Sequence, residues 1–301
     1  MSDFVRQNAI VQNFTRNSWC ILNPIERSIK EKIEKIGVPL KDWDIKIYRG
    51  ILTGCNEAFI IDGATKDALI AQDPKSAEII RPILRGRDIK RYSYDFADKW
   101  LITTFPSKHY NIDDYPAIKN YLLSFGKEKL EQSGKKDIGG IKGNNARKRT
   151  NNKWFETQDT IAYWDDFSKQ KIVYPETTQK AAFALDYNCM YIDKTCFMLI
   201  SEKAKYLYAT LNSKLFEYAY RRIFSSIELG SSAYQYNKHA LINLPIKKVS
   251  PNLEKLFNKL VDNLLNTKDS NDREVITEEI ELNLCKIYEI SKEEQIFIKS
   301  I

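Results

Sequence analysis

The spacing of hydrophobic and polar positions changes along the chain. Up to about residue 250, short alternating or continuous apolar runs predict strands at "DIKIYRGI", "EAFIID", "KWLITTF", "KIVYPE", "AAFALD" and "CFMLIS". Helical spacing interrupts them at "ATKDALIAQ", "YPAIKNYLLSFGKEKLEQ" and "SEKAKYLYATLNSKLFEYAY". The pattern predicts an α+β fold, in which a mixed, mostly antiparallel β domain carries inserted helices.

Capping signals mark the most clearly defined helices. In "NPIERSIKEKIEKIG", Asn23 can cap, Pro24 suits the first helical position and Glu26 completes a capping box. After Ser250, "SPNLEKLFNKLVDNLLN" carries a broad apolar stripe, and "DREVITEEIELNLCKIYEI" and "SKEEQIFIKS" follow as further helices. We therefore predict a domain over residues 1–249 and a C-terminal helical spacer or docking segment over residues 250–301.

Composition narrows the class of protein. The chain has 301 residues, of which 43% are hydrophobic and 12% aromatic, so it can bury a core. No apolar run reaches the roughly 18 residues of a membrane span, and the N-terminus is too polar for a signal peptide. We expect a cytoplasmic protein with no membrane association. The five cysteines are scattered singly and suggest reduced thiols, and with only two histidines we expect no metal site.

Positive charge is concentrated in one segment. The net charge is +7, and Lys127 to Lys153 contains nine basic residues against three acids. Glycine and asparagine are also frequent here, which predicts a flexible basic loop that contacts phosphate groups; a solvated surface loop is the alternative. The candidate contacts in this loop are Lys142, Arg147, Lys148, Arg149 and Lys153.

The stretch "RGILTGCNEAFIID" resembles a phosphate-binding loop but lacks the spacing of a P-loop or a dinucleotide fingerprint. Gly50 and Gly54 are expected to allow tight turns around Thr53. The Asn56 amide could pair with an adenine edge or cap a turn, and the sequence leaves both roles open. Arg49, Thr53 and Asn56 are the candidate contacts.

Two more polar clusters are candidates for nucleic-acid contact. In "RPILRGRDIKRY", Arg85, Arg87 or Arg91 contacts phosphate or a guanine edge, or an internal arginine pair with Asp88 fixes the loop. In "KIVYPETTQKAAFALD", a polar tip follows a strand, which suits base contact but also occurs in ordinary hairpins. The candidates in this tip are Glu176, Thr177, Gln179 and Lys180.

The sequence offers no set of residues typical of catalysis. Adjacent acids such as Asp165 and Asp166 have no obvious partner, and no metal-nuclease pattern is clear. The segment "NPIE" lacks the second proline and the aromatic residue of the amino-methyltransferase motif. We expect neither a catalytic residue nor a bound cofactor in this chain.

Several motifs in order carry a family resemblance: "LKDWDIKIYRGILTGCNEAFIID", "SAEIIRPILRGRDIKRY", "DKWLITTFP", "WFETQDTIAYWDDFSKQKIVYPETTQKAAFALD", "YLYATLNSKLFEYAYRRI", "HALINLPI" and "IELNLCKIYEISKEEQIFI". Together they resemble the TaqI-like C-terminal specificity domain of type IIG restriction-modification enzymes and related adenine methyltransferases. The resemblance implies duplex DNA recognition beside a methyltransferase that uses S-adenosylmethionine and a nuclease, for which we expect Mg²⁺. Both catalytic parts are missing, which implies an excised C-terminal portion or a separate specificity subunit.

Two functions remain at this point. In the first, the chain is a sequence-specific DNA-binding module without activity. Its candidates in Arg49–Asn56 and Arg85–Arg91 lie on one side, and those in the Lys142–Lys153 loop and the Glu176–Lys180 tip lie on the other. The Ser225–Lys238 loop adds contacts from Tyr234, Tyr236 and Lys238. In the second, it is a docking subunit that binds a methyltransferase through helices 251–301 and binds DNA only in the complex. An exposed apolar stripe from Leu253 to Leu265 would favour the second.

Overall fold

The computed structural model describes residues 22–225, 228–229 and 233–300. Cys20 and part of the predicted Ser225–Lys238 contact loop, residues 226–227 and 230–232, lie outside the described residues.

Short strands dominate the middle of the described chain, and helices dominate its two ends. The strands are β1 (Val38–Pro39), β2 (Lys46–Arg49), β3 (Ile60–Asp62), β4 (Ile80–Leu84), β5 (Ile89–Lys90), β6 (Ser93–Tyr94), β7 (Lys99–Ile102), β8 (Lys171–Pro175), β9 (Thr177–Thr178), β10 (Ala184–Asp186), β11 (Tyr191–Ile192), β12 (Cys196–Ile200), β13 (Glu228–Leu229), β14 (Ala233–Gln235) and β15 (Pro245–Ile246). The helices are α1 (Pro24–Ile36), α2 (Asn56–Phe59), α3 (Gly63–Gln72), α4 (Pro116–Leu123), α5 (Lys127–Leu130), α6 (Ala204–Asn212), α7 (Lys214–Ala219), α8 (Lys238–Leu241), α9 (Pro251–Asn266), α10 (Ser270–Ile287) and α11 (Lys292–Lys299).

The described residues form two compact units. The central unit comprises residues 45–178 and 182–204. The flanking unit comprises residues 22–44 and 179–181 and the described part of 205–300. The predicted C-terminal segment 250–301 thus belongs to a larger compact unit that also includes α1.

The central unit contains two four-stranded sheets. One has the order β10-β8-β12-β2, with every neighbouring pair antiparallel. The other has the order β11-β4-β7-β3, in which only β11 and β4 run parallel. Mostly antiparallel sheets with helices in the same chain confirm the predicted α+β class.

A buried ion pair lies within the first of these sheets. Lys171 of β8 and Asp186 of β10 are both fully buried, and the Lys171 Nζ lies 2.5 Å from an Asp186 carboxylate oxygen. Nζ also donates to the Phe167 carbonyl at 2.6 Å. Burial lowers the pKa of Lys171, and the Asp186 carboxylate opposes that effect. The removal of one partner would leave an uncompensated charge in the core.

The flanking unit uses the apolar stripe of α9 for its own packing. Phe257, Leu260, Val261 and Leu264 are buried, whereas Leu265 is 37% exposed. The cap predicted for α1 is present, since the Asn23 side chain accepts from the Glu26 amide at 2.9 Å. The three C-terminal helices are also present as predicted.

Some predicted elements are shorter than expected. The segment "EAFIID" begins as the helical turn α2 and becomes a strand only at Ile60. The helix predicted after Tyr115 breaks at Gly126, whose φ is +87°, and the helix predicted after Ser201 restarts at Ser213, which caps α7. Glycine and serine at these positions favour helix ends over continuation.

Candidate functional site

Two of the predicted clusters meet at a cleft in the central unit. The cleft has a volume of about 420 Å³. It is lined by Asn56, Glu57, Ile60, Arg85, Gly86, Arg87, Lys99, Asp193 and Thr195. Three predicted contact residues, Asn56, Arg85 and Arg87, therefore lie together although they are far apart in the sequence. The cleft combines amide, carboxylate, hydroxyl and cationic groups, which are the groups that hydrogen-bond to base edges.

The Asn56 side chain is placed by the turn that precedes it. Gly54 has φ +79°, and α2 begins two residues later at Asn56. The buried Thr53 hydroxyl donates to the Asn56 amide oxygen at 2.7 Å. An amide oxygen accepts two hydrogen bonds, so the exposed Asn56 retains one lone pair and both N–H donors. This is the combination required for bidentate contact with adenine.

Arg85 forms the internal pair that the sequence left as the alternative. Its Nε and Nη2 donate to the two carboxylate oxygens of Asp88 at 2.9 and 2.8 Å, and its backbone N–H donates to the same carboxylate. Burial raises the pKa of Asp88, but the hydrogen bonds from Arg85 outweigh burial and lower that pKa overall. Arg87, on the same turn, is exposed. The pair thus fixes the turn, and Arg87 is presented to solvent at the cleft.

The turn between β11 and β12, Asp193–Thr195, connects the candidate clusters. The Thr195 hydroxyl accepts from the Gly86 N–H at 3.1 Å, and the Thr195 carbonyl accepts from the Glu176 N–H at 2.8 Å. A Cβ on Gly50 would lie 2.0 Å from the Asp193 carbonyl oxygen, so this glycine is required by close backbone approach. This turn was not among the predicted contact sites, although a Lys-Thr pair between two apolar runs was a detectable signal.

Arg49 and Glu176, from the first and third clusters, form an ion pair beside this turn. The prediction that these two clusters lie on different sides is therefore wrong for this pair. The Arg49 Nη2 lies 2.8 Å from a Glu176 carboxylate oxygen, and its Nε donates to the Lys194 carbonyl at 3.0 Å. The Arg49 side chain is 57% exposed, so solvent screening keeps the contribution of the pair to stability small. The pair instead holds a cationic donor and an anionic acceptor side by side at the surface.

The predicted flexible basic loop has a hydrogen-bonded hairpin at its base. We call residues 131–150 the basic hairpin. Gly134 donates to the Arg147 carbonyl and Ala146 donates to the Lys135 carbonyl, both at 2.9 Å. Backbone pairing of this kind aligns the two arms. Four predicted phosphate contacts are exposed: Lys142, Lys148 and Arg149 on the basic hairpin and Lys153 after it. Phosphate contact requires this exposure.

Arg147 differs from its neighbours because it is only 4% exposed. Its guanidinium donates to the carbonyls of Leu130, Thr53, Trp154 and Glu156 at 2.6 to 2.8 Å. Burial lowers the pKa of Arg147 to about 10. The side chain therefore anchors the base of the basic hairpin.

Four predicted contact residues are too deeply buried to contact DNA in this conformation. They are Thr53, Arg147, Tyr234 and Tyr236. In the flanking unit the rings of Tyr234 and Tyr236 pack 5.3 Å apart, and both lie beside Tyr220. We assign these four residues structural roles, because their side chains pack inside the protein and a macromolecule cannot reach them.

The remaining candidates are at least partly accessible. The Arg91 guanidinium lies 5.7 Å from the Tyr92 ring centre. Thr177 in the central unit is exposed, as are Gln179, Lys180 and Lys238 in the flanking unit. Among the described residues, no group of three or more His, Cys, Asp or Glu side chains could hold a metal ion. Within the same residues, no helix is long and apolar enough to cross a membrane.

Comparisons with known proteins agree with the resemblance seen in the sequence. The chain is similar to the type IIL restriction-modification enzyme MmeI, solved in complex with DNA, with a TM-score of 0.59 and 12% identity over 88% of this chain and 36% of MmeI. It is similar to the type IIG restriction endonuclease BpuSI, with a TM-score of 0.50 and 14% identity over 90% of this chain and 34% of BpuSI. At these identities the likeness concerns the fold.

This chain spans about a third of the length of each of those two enzymes. No curated protein sequence matches it. The model of the TaqI-like C-terminal specificity domain matches residues 81–246, which is more than half of the chain and includes Arg85, Arg87, the basic hairpin and the Asp193–Thr195 turn. The chain therefore belongs to the family of TaqI-like C-terminal specificity domains.

Proposed function

We propose that this chain is the sequence-specific double-stranded DNA recognition module of a type IIG restriction-modification enzyme. Adenine-N6 methylation and cleavage are assigned to domains outside the chain, which would use S-adenosylmethionine and Mg²⁺. The chain itself contributes binding and sequence choice, and it needs no cofactor for either.

The observation that carries this proposal is the meeting of Asn56, Arg85 and Arg87 at one cleft. Specificity requires donors and acceptors in fixed positions, because each base pair presents its own pattern in the major groove. The Thr53 hydroxyl orients the Asn56 amide, and the Arg85–Asp88 pair fixes the turn that carries Arg87. Side chains held in this way lose less conformational entropy on binding than free ones.

The basic hairpin supplies the second requirement, attraction to the phosphate backbone. Lys142, Lys148 and Arg149 are exposed there, in the segment that carries most of the net charge. Phosphate contacts position a protein on the duplex without reading its sequence. We therefore propose that the basic hairpin contributes most of the affinity for DNA, whereas the cleft determines which sequence is preferred.

Contact with a catalytic domain or subunit is a second function that one observation favours. The predicted docking stripe of α9 is largely buried inside the flanking unit, which argues against that helix. On α10, however, Val275 and Leu282 are 63% and 51% exposed and lie seven residues apart, which places them on one helix face. We propose that the methyltransferase part contacts the C-terminal helices through this face.

A salt titration of binding to a random-sequence duplex pool, followed by sequencing of the bound fraction, tests the proposed function. We expect one asymmetric motif to be enriched over a salt-sensitive background. Salt-sensitive binding without enrichment would mean that specificity requires the catalytic domains. Absence of binding at low salt would reject the DNA-recognition proposal and leave contact through the C-terminal helices.

A further inference from the structure

The tip of the basic hairpin carries an apolar side chain that faces solvent. Ile141 is 63% exposed, whereas Ile138, three residues before it, is 9% exposed. Single exposed apolar residues are common on protein surfaces, so exposure alone assigns no role. The position of Ile141, between two cationic arms and among glycines, is what distinguishes it.

Hydrogen bonds hold the tip in a defined turn. Ile138 donates to the Asn144 carbonyl at 2.7 Å, and Asn144 donates back to the Ile141 carbonyl at 3.1 Å. The Gly143 N–H donates to an Asp137 carboxylate oxygen at 2.7 Å. The buried Ile138 side chain and these hydrogen bonds fix the turn that carries Ile141. Ile141 would therefore lose little backbone entropy on insertion into a partner.

The space around the tip is open. A Cβ added at Gly139, Gly140 or Gly143 would meet no atom within 4 Å, and all three glycines have positive φ. Gly140 directly before Ile141 and Gly143 after Lys142 therefore add no side chains that would cover Ile141.

The arms that support the tip are strongly cationic. The basic hairpin has one exposed acid, Asp137, and five exposed cations: Lys135, Lys136, Lys142, Lys148 and Arg149. Lys135 pairs with Glu128, which precedes the hairpin, at 3.3 Å. This arrangement excludes a basic or strongly apolar partner surface and fits a polyanion that has an apolar interior. Duplex DNA has both properties, since its phosphates are anionic and its stacked bases are apolar.

We infer that Ile141 is a wedge that inserts between stacked base pairs while the cations around it hold the phosphates. The inference rests on the proposed function and deepens it, because it assigns an unstacked and kinked duplex as the bound form. Apolar side chains that enter a base step unstack it and bend the duplex, and the exposed side chain gains burial in return.

Permanganate oxidation of thymines on a bound duplex tests the wedge, because unstacked thymines react faster than stacked ones. The full chain is bound to the duplex enriched by selection, or to one thymine-rich duplex of defined sequence if no motif emerges. We expect locally enhanced thymine reactivity that Ile141→Ala abolishes and Ile141→Leu retains. Affinity of the alanine variant should fall roughly tenfold, as for loss of one buried aliphatic side chain, with an unchanged salt slope.

Ile296→Ala is the matched control. Ile296 is 70% exposed on α11 in the flanking unit, so this substitution removes the same side chain from a different unit. It should change neither reactivity nor affinity. Wild-type binding without enhanced reactivity, or an alanine variant that keeps both reactivity and affinity, would overturn the wedge and leave the DNA-recognition proposal intact. Failure of the wild type to bind DNA at low salt would reject both.

Discussion

The cleft and the basic hairpin use the same cationic residue types in opposite ways. At the cleft Arg85 is paired with Asp88, and beside it Arg49 is paired with Glu176. On the hairpin the exposed cations outnumber the acids, and the one arginine that is fixed, Arg147, is held by neutral carbonyls.

The comparison distinguishes three roles of basic residues that cannot be told apart from the sequence alone. When a cation is paired with a carboxylate, its N–H donors point in a fixed direction and its charge is largely neutralised at long range. Such a cation suits hydrogen bonding to particular groups. An exposed cation with an excess of charge around it attracts any polyanion, and strong salt dependence follows. A buried cation bonded to carbonyls stabilises the fold. Mutations in the two regions should therefore produce different kinds of effect.

The largest effect is expected from the buried arginine. Arg147→Met leaves four carbonyl acceptors without their donor in a buried region, so the free energy of unfolding should fall by about 3–4 kcal/mol. Urea denaturation measures this change. Arg149→Met, two residues away and exposed, should change stability by no more than about 0.5 kcal/mol. Equal midpoints for the two variants would show that Arg147 does not anchor the hairpin.

Removal of two exposed cations should weaken binding to every duplex alike. Each lost phosphate contact lowers the slope of log K against log salt by about 0.9, so Lys148→Ala with Arg149→Ala should reduce it by about 1.8. Affinity near 0.1 M salt should then fall roughly 60-fold, measured by fluorescence anisotropy. Lys255→Ala with Lys259→Ala removes the same charge from exposed positions of α9 and should leave the slope unchanged. An equal loss in both double variants would favour a diffuse charge effect over hairpin contacts.

Substitution at the cleft should instead change sequence preference. Asn56→Ala removes the oriented amide, so discrimination at one base position should fall by about 1–3 kcal/mol. The check is repeated selection from the random pool with the variant, together with the affinity for a non-specific duplex, which should stay constant. Asn252→Ala on α9 serves as the control, because this exposed asparagine lies in the flanking unit. If Asn56→Ala selects the same motif as the wild type, Asn56 does not contact a base.

The smallest effect is a pH-dependent one at the turn that carries Arg87. The pKa of Asp88 is lower in the folded protein than its usual value, so its carboxylate stabilises the fold above about pH 5, and this contribution is lost as pH falls below about 4. Asp88→Asn should reduce the free energy of unfolding by about 1–2 kcal/mol at pH 7, with a difference from wild type that shrinks in acid. Exposed Asp95→Asn should show no such convergence. A difference that stays constant from pH 7 to pH 3 would contradict the role given to the carboxylate.

Local signals allowed the helices at both ends to be predicted from the sequence. Asn23, Ser250 and Ser291 each cap the helix that follows, because a side-chain oxygen reaches an amide only two or three residues ahead. The apolar stripe of α9 likewise contains the residues that the helix buries, Phe257, Leu260, Val261 and Leu264. Such features require no knowledge of the rest of the chain.

The cleft was predicted only in parts. Its arginine and asparagine clusters were assigned to one side from the sequence, but the Glu176 tip was assigned to the other. The position of Glu176 beside these clusters depends on the Asp193–Thr195 turn, which also touches segments more than 100 residues earlier. The burial of Arg147 was not predicted for the same reason. In a run of basic residues, nothing local distinguishes the one whose guanidinium reaches the carbonyl of Thr53, a residue distant in the sequence.

The pairing of β2 with β12 has a consequence for synthesis of the chain. Lys46 of β2 lies opposite Ile200 of β12, so the first strand of the central unit is completed by the last. At about 5–20 residues per second, a ribosome needs roughly 7–30 s to make the intervening segment. During that interval β2 has no partner on its β12 side, so this sheet is completed only after β12 has been made, whereas β3, β4 and β7 of the other sheet can pair earlier. The surface proposed for recognition is consequently assembled at a late step, since the turn that joins its parts emerges just before β12.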